Sequence, residues 1–198
     1  MTTLRSTARQ LAVAAKALAV FTLLLGIGYP TLATAAAQAA LPHRANGSPV
    51  TVDGAAAGSA LLGQSFTDGA GAALPEWFQS RPGTYDGAAS GGSNLGPSSP
   101  ELAAQIEERR QAVAALESVP AEDLPADALT ASASGLDPHI SPEYAYLQVP
   151  RVAEARGLPE PDVRALVDDA VAGRTAGILG EPTVNVLELN IALLELDT

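Results

Sequence analysis

The chain has 198 residues, 47% of them hydrophobic and 17% charged, with 15 prolines, 18 glycines, no cysteine and a formal net charge of −11. Lack of cysteine excludes a disulfide framework, a thiolate nucleophile and cysteine-ligated metal. Before Pro42 the only charges are Arg5, Arg9 and Lys16, whereas eight arginines and all 22 acids follow, a net of −14 that repels phosphate backbones and argues against a nucleic-acid partner.

Residues 17–42 contain no charge. About 20 apolar residues rising 1.5 Å each cross a hydrocarbon core of roughly 30 Å, so this run is long enough to span a bilayer. Two readings fit it. A basic head, an apolar stretch and small residues at 33–40 describe a secretory signal as well as an anchor. Gly26, Gly28 and Pro30 weaken an isolated helix but are tolerated where other helices pack closely. Either reading, with the basic residues leading, places the N-terminus in the cytoplasm and exports the rest. The expected division is therefore a cytoplasmic segment 1–16, a transmembrane helix 17–42 and a single extracytoplasmic domain 43–198.

Beyond the membrane, Asn46-Gly47 signals a turn, and residues 48–52 have the β-favouring look of a strand before Asp53-Gly54. Leu61-Leu62 is a candidate second strand. Residues 69–100, rich in Gly, Ser and Pro, break every period and read as an ordered loop carrying Trp77, Phe78 and Tyr85. A two-faced helix is expected from Pro100, capped by Ser99, with Leu102, Ile106, Val113 and Leu116 as its apolar stripe. Prolines 120 and 125 end it. Ser141-Pro142-Glu143 supplies N-cap, first-turn proline and first-turn acid for a second helix, kinked or restarted by Pro150 and ended by Gly157. A third helix is expected over residues 161–172, and a last one over residues 184–196 with Asn185 as a candidate cap. The fold class is α+β, with one N-terminal transmembrane helix and a domain of a few short strands and three or four helices.

Few residues offer chemistry. Ser90-Gly91-Gly92-Ser93-Asn94-Leu95-Gly96 is a glycine-rich loop with free backbone donors, but it lacks the Gly-Lys-Ser/Thr of a P-loop, which makes it first a close-packing turn. Asp137-Pro138-His139 near Ser132 and Ser134 is the one cluster that can be drawn as a triad; the plainer role is to bond local backbone and fix the turn before Ser141. Two distant histidines and scattered acids give no zinc-type spacing. No Asp-Lys-Thr stretch of the phosphorylated P-type ATPase kind is present.

The blocks Arg81-Pro82, Tyr85-Asp86, Ala89 through Pro97, Leu129 through Pro142, Gln148 through Ala153, Gly180-Glu181-Pro182, Val184 through Leu187 and Leu189-Asn190 resemble, in order, the KdpC subunit of the bacterial Kdp potassium-transporting P-type ATPase. Ser99, where asparagine is expected, and the alanine-rich stretch near residues 53–58 depart from the pattern. The resemblance implies a non-catalytic accessory subunit of an ATP-driven potassium uptake system, held in the cell membrane by one uncleaved helix. Its partners would be KdpA, KdpB and KdpF, with lipid around the helix. Potassium would be the transported ion of the complex, and ATP would be met only jointly with KdpB. Two mechanisms are compatible with it: a catalytic chaperone raising the ATP affinity of KdpB, or an extracytoplasmic domain docking over KdpA and stabilising the assembly. The candidate docking or nucleotide-related loops are Ser90, Gly91, Gly92, Ser93, Asn94 and Gly96 with Ser134, Gly135, Asp137 and His139. The alternative is an anchored or secreted binding protein unrelated to a pump.

Overall fold

A computed structural model describes residues 2–196, the first three of these by backbone alone; Met1, at the head of the basic segment, and residues 197–198 lie outside the described residues. The chain divides into two units, Met1–Ser48 and Pro49–Thr198.

The first unit is one long helix with a short appendix. Helix α1 (Thr2–Phe21) passes into a π-helical segment (Thr22–Gly28) and on into α2 (Tyr29–Ala40). Gly26 and Gly28 lie in this π-helical segment. Within Arg5–Ala40 an 18-residue window has a mean hydropathy of 2.1, and none of that window is buried. The helix thus starts well before the charge-free run and includes Arg9 and Lys16. It ends at Leu41, where ψ turns to 57°, and Pro42 opens the single-turn α3 (Pro42–Ala45).

The second unit begins with a hairpin. Strand β1 (Pro49–Val52) pairs antiparallel with β2 (Ala55–Ser59) through Asp53 and Gly54, both at positive φ as a tight two-residue turn needs. The return strand is therefore the alanine-rich stretch. Leu61-Leu62 instead lies in the following turn, exposed. Residues 60–99 contain no regular element beyond a bridge between Thr67 and Ala73, as the Gly, Ser and Pro content implies.

Helix α4 (Pro100–Glu117) is capped as expected, Ser99 Oγ accepting from the Leu102 amide at 3.4 Å. Its apolar stripe is only half-buried; its buried residue is Glu117. A 3₁₀ turn (Ala121–Asp123) and the short α5 (Ala126–Leu129) follow. Helix α6 (Pro142–Arg156) runs past Pro150, which sits exposed on its outer face, and closes at Gly157 with φ 68°. Helix α7 (Glu160–Ala170) packs beside it.

The remaining sheet is three-stranded and antiparallel. Strand β5 (Thr183–Asn185) lies between β3 (His139–Ile140) and β4 (Val171–Ala172). Val184 and Asn185, where the last helix was expected to start, are strand, Val184 being fully buried between Ile140 and Val171. The helix, α8 (Val186–Leu196), then starts with Asn185 Oδ1 accepting from the Glu188 amide at 3.2 Å. The core joins these layers through Phe78, Leu129, Ile140, Tyr144, Val149, Val152, Val163, Val167, Val184, Val186, Leu189 and Leu193.

Candidate functional site

The two loop blocks singled out in the sequence lie against one another. The Gly91 amide donates to Ser134 O at 2.8 Å and Ser90 Oγ to the same carbonyl at 3.1 Å. A β-carbon on Gly92 would stand 3.0 Å from Ala133 O, so Gly92 permits close backbone approach. Gly135, buried at φ 68°, gives its carbonyl to the Tyr85 amide at 3.1 Å. Ser132 and Ser134 hydroxyls pair with each other at 2.9 Å, and Ser134 Oγ also accepts from the Leu136 amide. Ser93 and Asn94 remain exposed, Asn94 at φ 55°, and Gly96 O receives the Ser99 amide just before α4. Gly83, Thr84, Gly91, Gly92, Ser93 and Arg109 border a cleft of about 330 Å³ here. Arg109 is already engaged, donating to Leu129 O and to Gln105.

Asp137 and Arg81 tie this platform together. Asp137 Oδ1 accepts from the His139 amide at 3.0 Å and lies 3.2 Å from His139 Nδ1, while Oδ2 faces Arg81 Nη1 at 3.3 Å. Arg81 also donates to Thr130 O, and its own carbonyl accepts the Tyr85 hydroxyl at 2.6 Å. Burial first, and the nearby Asp137 carboxylate next, push the Tyr85 phenol upward. The triad drawing is not assembled: among the described residues no bond links His139 to Ser132 or Ser134. Asp137 and His139 do fix the turn, with Ser141 held by Asp127 (amide to Oδ2 at 2.6 Å) as it caps α6. Arg81, Asp127, Asp137, His139, Glu143 and Glu181 border a second cleft of about 410 Å³. Among the described residues no three or more His, Asp or Glu are grouped to hold a metal ion.

Beneath the platform lies a set of polar contacts that the motif reading did not single out. Asn190 and Gln148, 1% and 0% exposed, bond the backbone of Phe78 and Gln79. Arg151 Nε meets Glu117 Oε2 at 2.9 Å in the interior, and its other nitrogens reach Trp77 O and Gln148. Burial raises the Glu117 carboxyl above its usual range despite Arg151, and raises the Tyr144 phenol strongly. Helical spacing carried the signal: Asn190 stands among Val186, Leu189 and Leu193, and Gln148 beside Ala145, Val149 and Val152, all on buried faces.

One helix long and apolar enough to cross a bilayer, followed by a small α+β unit, defines the class as a protein with a single candidate membrane span and one mixed domain. A family model described as "KdpC: K+-transporting ATPase, c chain" matches residues 11–195. Potassium-transporting ATPase KdpC subunits are similar over most of their length. That of Kineococcus radiotolerans is 52% identical over 169 residues, covering 85% of each chain. That of Nitratidesulfovibrio vulgaris is 51% identical over 165 residues, covering 83% of each. That of Streptomyces coelicolor is 45% identical, covering 98% of this chain and 96% of the relative. The chain belongs to the KdpC family of potassium-transporting ATPase subunits.

Proposed function

We propose that the chain is the non-catalytic accessory subunit of an ATP-driven potassium uptake pump, anchored by its N-terminal helix with the N-terminus cytoplasmic and the second unit extracytoplasmic. The carrying observation is the Arg5–Ala40 helix: apolar, long enough to span, and uncovered along its length. Arg5, Arg9 and Lys16 precede its apolar centre and favour this orientation. The −14 surface beyond it lies, on this reading, away from cytoplasmic ATP, which favours docking on the channel-like KdpA over direct nucleotide handling.

The platform of residues 90–96 and 134–142 is the docking surface, shaped by Gly92, Gly135 and the Arg81–Asp137 pair. KdpB and KdpF complete the assembly. Co-expression of the chain with its three partners, followed by affinity recovery and potassium-stimulated ATPase assay, tests the reading. Gly92→Ala or Asp137→Ala is expected to lower recovery of the complex. Intact assembly with a raised ATP requirement would favour the chaperone mechanism, and no association at all would leave the alternative of an anchored binding protein.

A further inference from the structure

Helix α4 and residues 67–82 border a cleft of about 600 Å³, within the size range of small-molecule sites. Its apolar walls are Pro82, Ala112, Val113, Ala115, Leu116 and Ala128. The polar groups on its border are mostly spent. Gln79 gives its side-chain N–H groups to Phe66 O and Leu74 O, Ser80 gives its hydroxyl proton to Gln64 O, and the Thr67 hydroxyl pairs with Ser65 at 3.1 Å. Tyr144 differs. It belongs to α6 and is 2% exposed, yet it borders the cleft, and its hydroxyl is neither enclosed nor hydrogen-bonded to any described residue. A hydroxyl so placed can bond only what enters the cleft.

Charge narrows the occupant. Arg109 is the one charged residue on the border, with no acid beside it, in a chain whose net charge is −11. Its bonds go to uncharged acceptors, Leu129 O at 3.2 Å and Gln105 Oε1 at 3.4 Å, so its charge is not neutralised and the guanidinium has donors to spare. Burial holds the Tyr144 phenol far above its usual range, which keeps it a donor. An unspent neutral donor and a cationic one beside an apolar trough suit a compact anion on a hydrocarbon tail. The two oxygens of a carboxylate match two donors; a phosphate monoester would leave a third oxygen unmet.

We propose that the cleft between α4 and residues 67–82 binds a single-chain carboxylate amphiphile, whose head accepts from the Tyr144 hydroxyl and is drawn by Arg109 while its chain lies against Val113 and Leu116. The site does not depend on the assembly reading given under the proposed function. It is separate from the platform of residues 90–96 and 134–142.

The full chain in lipid nanodiscs, titrated calorimetrically with octanoate against protein-free discs, tests this. Saturable binding is expected, with octanol at least about tenfold weaker, as loss of a charge-assisted hydrogen bond implies, and octyl phosphate also weaker. Tyr144→Phe removes only the unpartnered hydroxyl. It is expected to keep the thermal midpoint and to weaken octanoate at least about tenfold. Ala115→Trp, at an exposed position on the cleft wall, is expected to block octanoate at an unchanged midpoint. Uptake no greater than that of protein-free discs, octanol or octyl phosphate binding as tightly as octanoate, or undiminished binding by either variant overturns the site. A Tyr144→Phe midpoint lowered by several degrees would assign the hydroxyl to the fold and overturn it as well.

Discussion

The side-chain amide of Asn190 is bonded twice to the backbone of Phe78, Oδ1 accepting from its N–H and Nδ2 donating to its carbonyl, each at 2.9 Å. Gln148 does the same for Gln79, at 2.6 and 3.2 Å. Two consecutive residues of an irregular segment thus cross the core with their backbone groups satisfied by amides from α8 and α6, standing in for neighbouring strands. Buried backbone groups need such partners, because an orphaned donor or acceptor costs about 1–3 kcal/mol. Asn190→Leu, which orphans both groups of Phe78, is therefore expected to destabilise by roughly 2–5 kcal/mol. That corresponds to a thermal midpoint lower by roughly 5–15 °C for a chain of this size. Asn190→Asp keeps the acceptor but sets a carboxylate against the Phe78 carbonyl, and should be no better at neutral pH. Thermal unfolding followed by circular dichroism checks both.

Glu117 and Arg151 form the second internal tie. The carboxylate is wholly buried, and while Oε2 meets Arg151, Oε1 is buried with no hydrogen-bond partner. Removing one member strands the other charge, so Arg151→Met is expected to cost about 3–5 kcal/mol. The pH dependence has a definite sign. Burial, only partly offset by Arg151, raises the folded carboxyl above its ordinary value, so the folded state holds this proton over a window in which the unfolded chain has lost it. Stability from this group is then full below the unfolded value and declines as pH rises through the folded one. Glu117→Gln should remove that decline, and Arg151→Met should extend it to higher pH. Unfolding midpoints of the three proteins compared between about pH 4 and about pH 7 decide it.

Arg81 is a third tie, at the surface. Its guanidinium reaches Asp137 and the Thr130 carbonyl from separate nitrogens, with both side chains of the ion pair about a quarter to a third exposed. Solvent screening keeps the pair itself near 1 kcal/mol or less, and the fork geometry matters more than the charge. Arg81→Lys, which keeps charge but loses the fork, should therefore weaken the platform almost as much as Arg81→Met, by about 1–2 kcal/mol. Proteolysis at residues 130–137 under native conditions would report it, rising in both variants. An unchanged cleavage rate in Arg81→Lys would contradict the fork argument.

What the sequence made legible follows from how local each signal is. The Ser99 and Ser141 caps, the Gly157 stop and the Asp53-Gly54 turn depend on residues within a few positions, and each stands where its motif placed it. The second strand was hidden because Ala55, Ala56 and Ala57 carry no β-branched pattern; its pairing is fixed by the turn and by β1. Val184 read as helix because it leads directly into the Val186, Leu189, Leu193 and Leu196 stripe, and only pairing with Ile140 and Val171 makes it strand. The platform was visible as two motif blocks, but their contact joins residues some 40 positions apart, and no local pattern encodes that. Glu117, Gln148 and Asn190 were the least legible: helical spacing sets Gln148 and Asn190 on buried faces, but the distant groups that all three bond are encoded by no local pattern.

The glycines of the platform, and Gly63, whose amide donates to Leu136 O at 2.9 Å beside it, can be ranked by what a methyl group would meet. At Gly63 a β-carbon would lie 2.4 Å from the Tyr85 ring and 2.7 Å from Asp137 O, which cannot be relieved by a side-chain rotation alone. At Gly92 the nearest atom is Ala133 O at 3.0 Å, a contact the exposed loop can relieve by a small shift. Gly91, adjacent in sequence, would meet nothing within 4 Å. Overpacking costs roughly 1–3 kcal/mol, so Gly63→Ala should sit at the upper end of that range and Gly92→Ala at the lower. Gly91→Ala should be neutral or slightly stabilising, because alanine reduces the freedom of the unfolded chain. Chemical denaturation midpoints of the three variants give the order directly. If Gly91→Ala proved as harmful as Gly92→Ala, the loop would need glycine for its backbone conformation and not for its approach to Ala133.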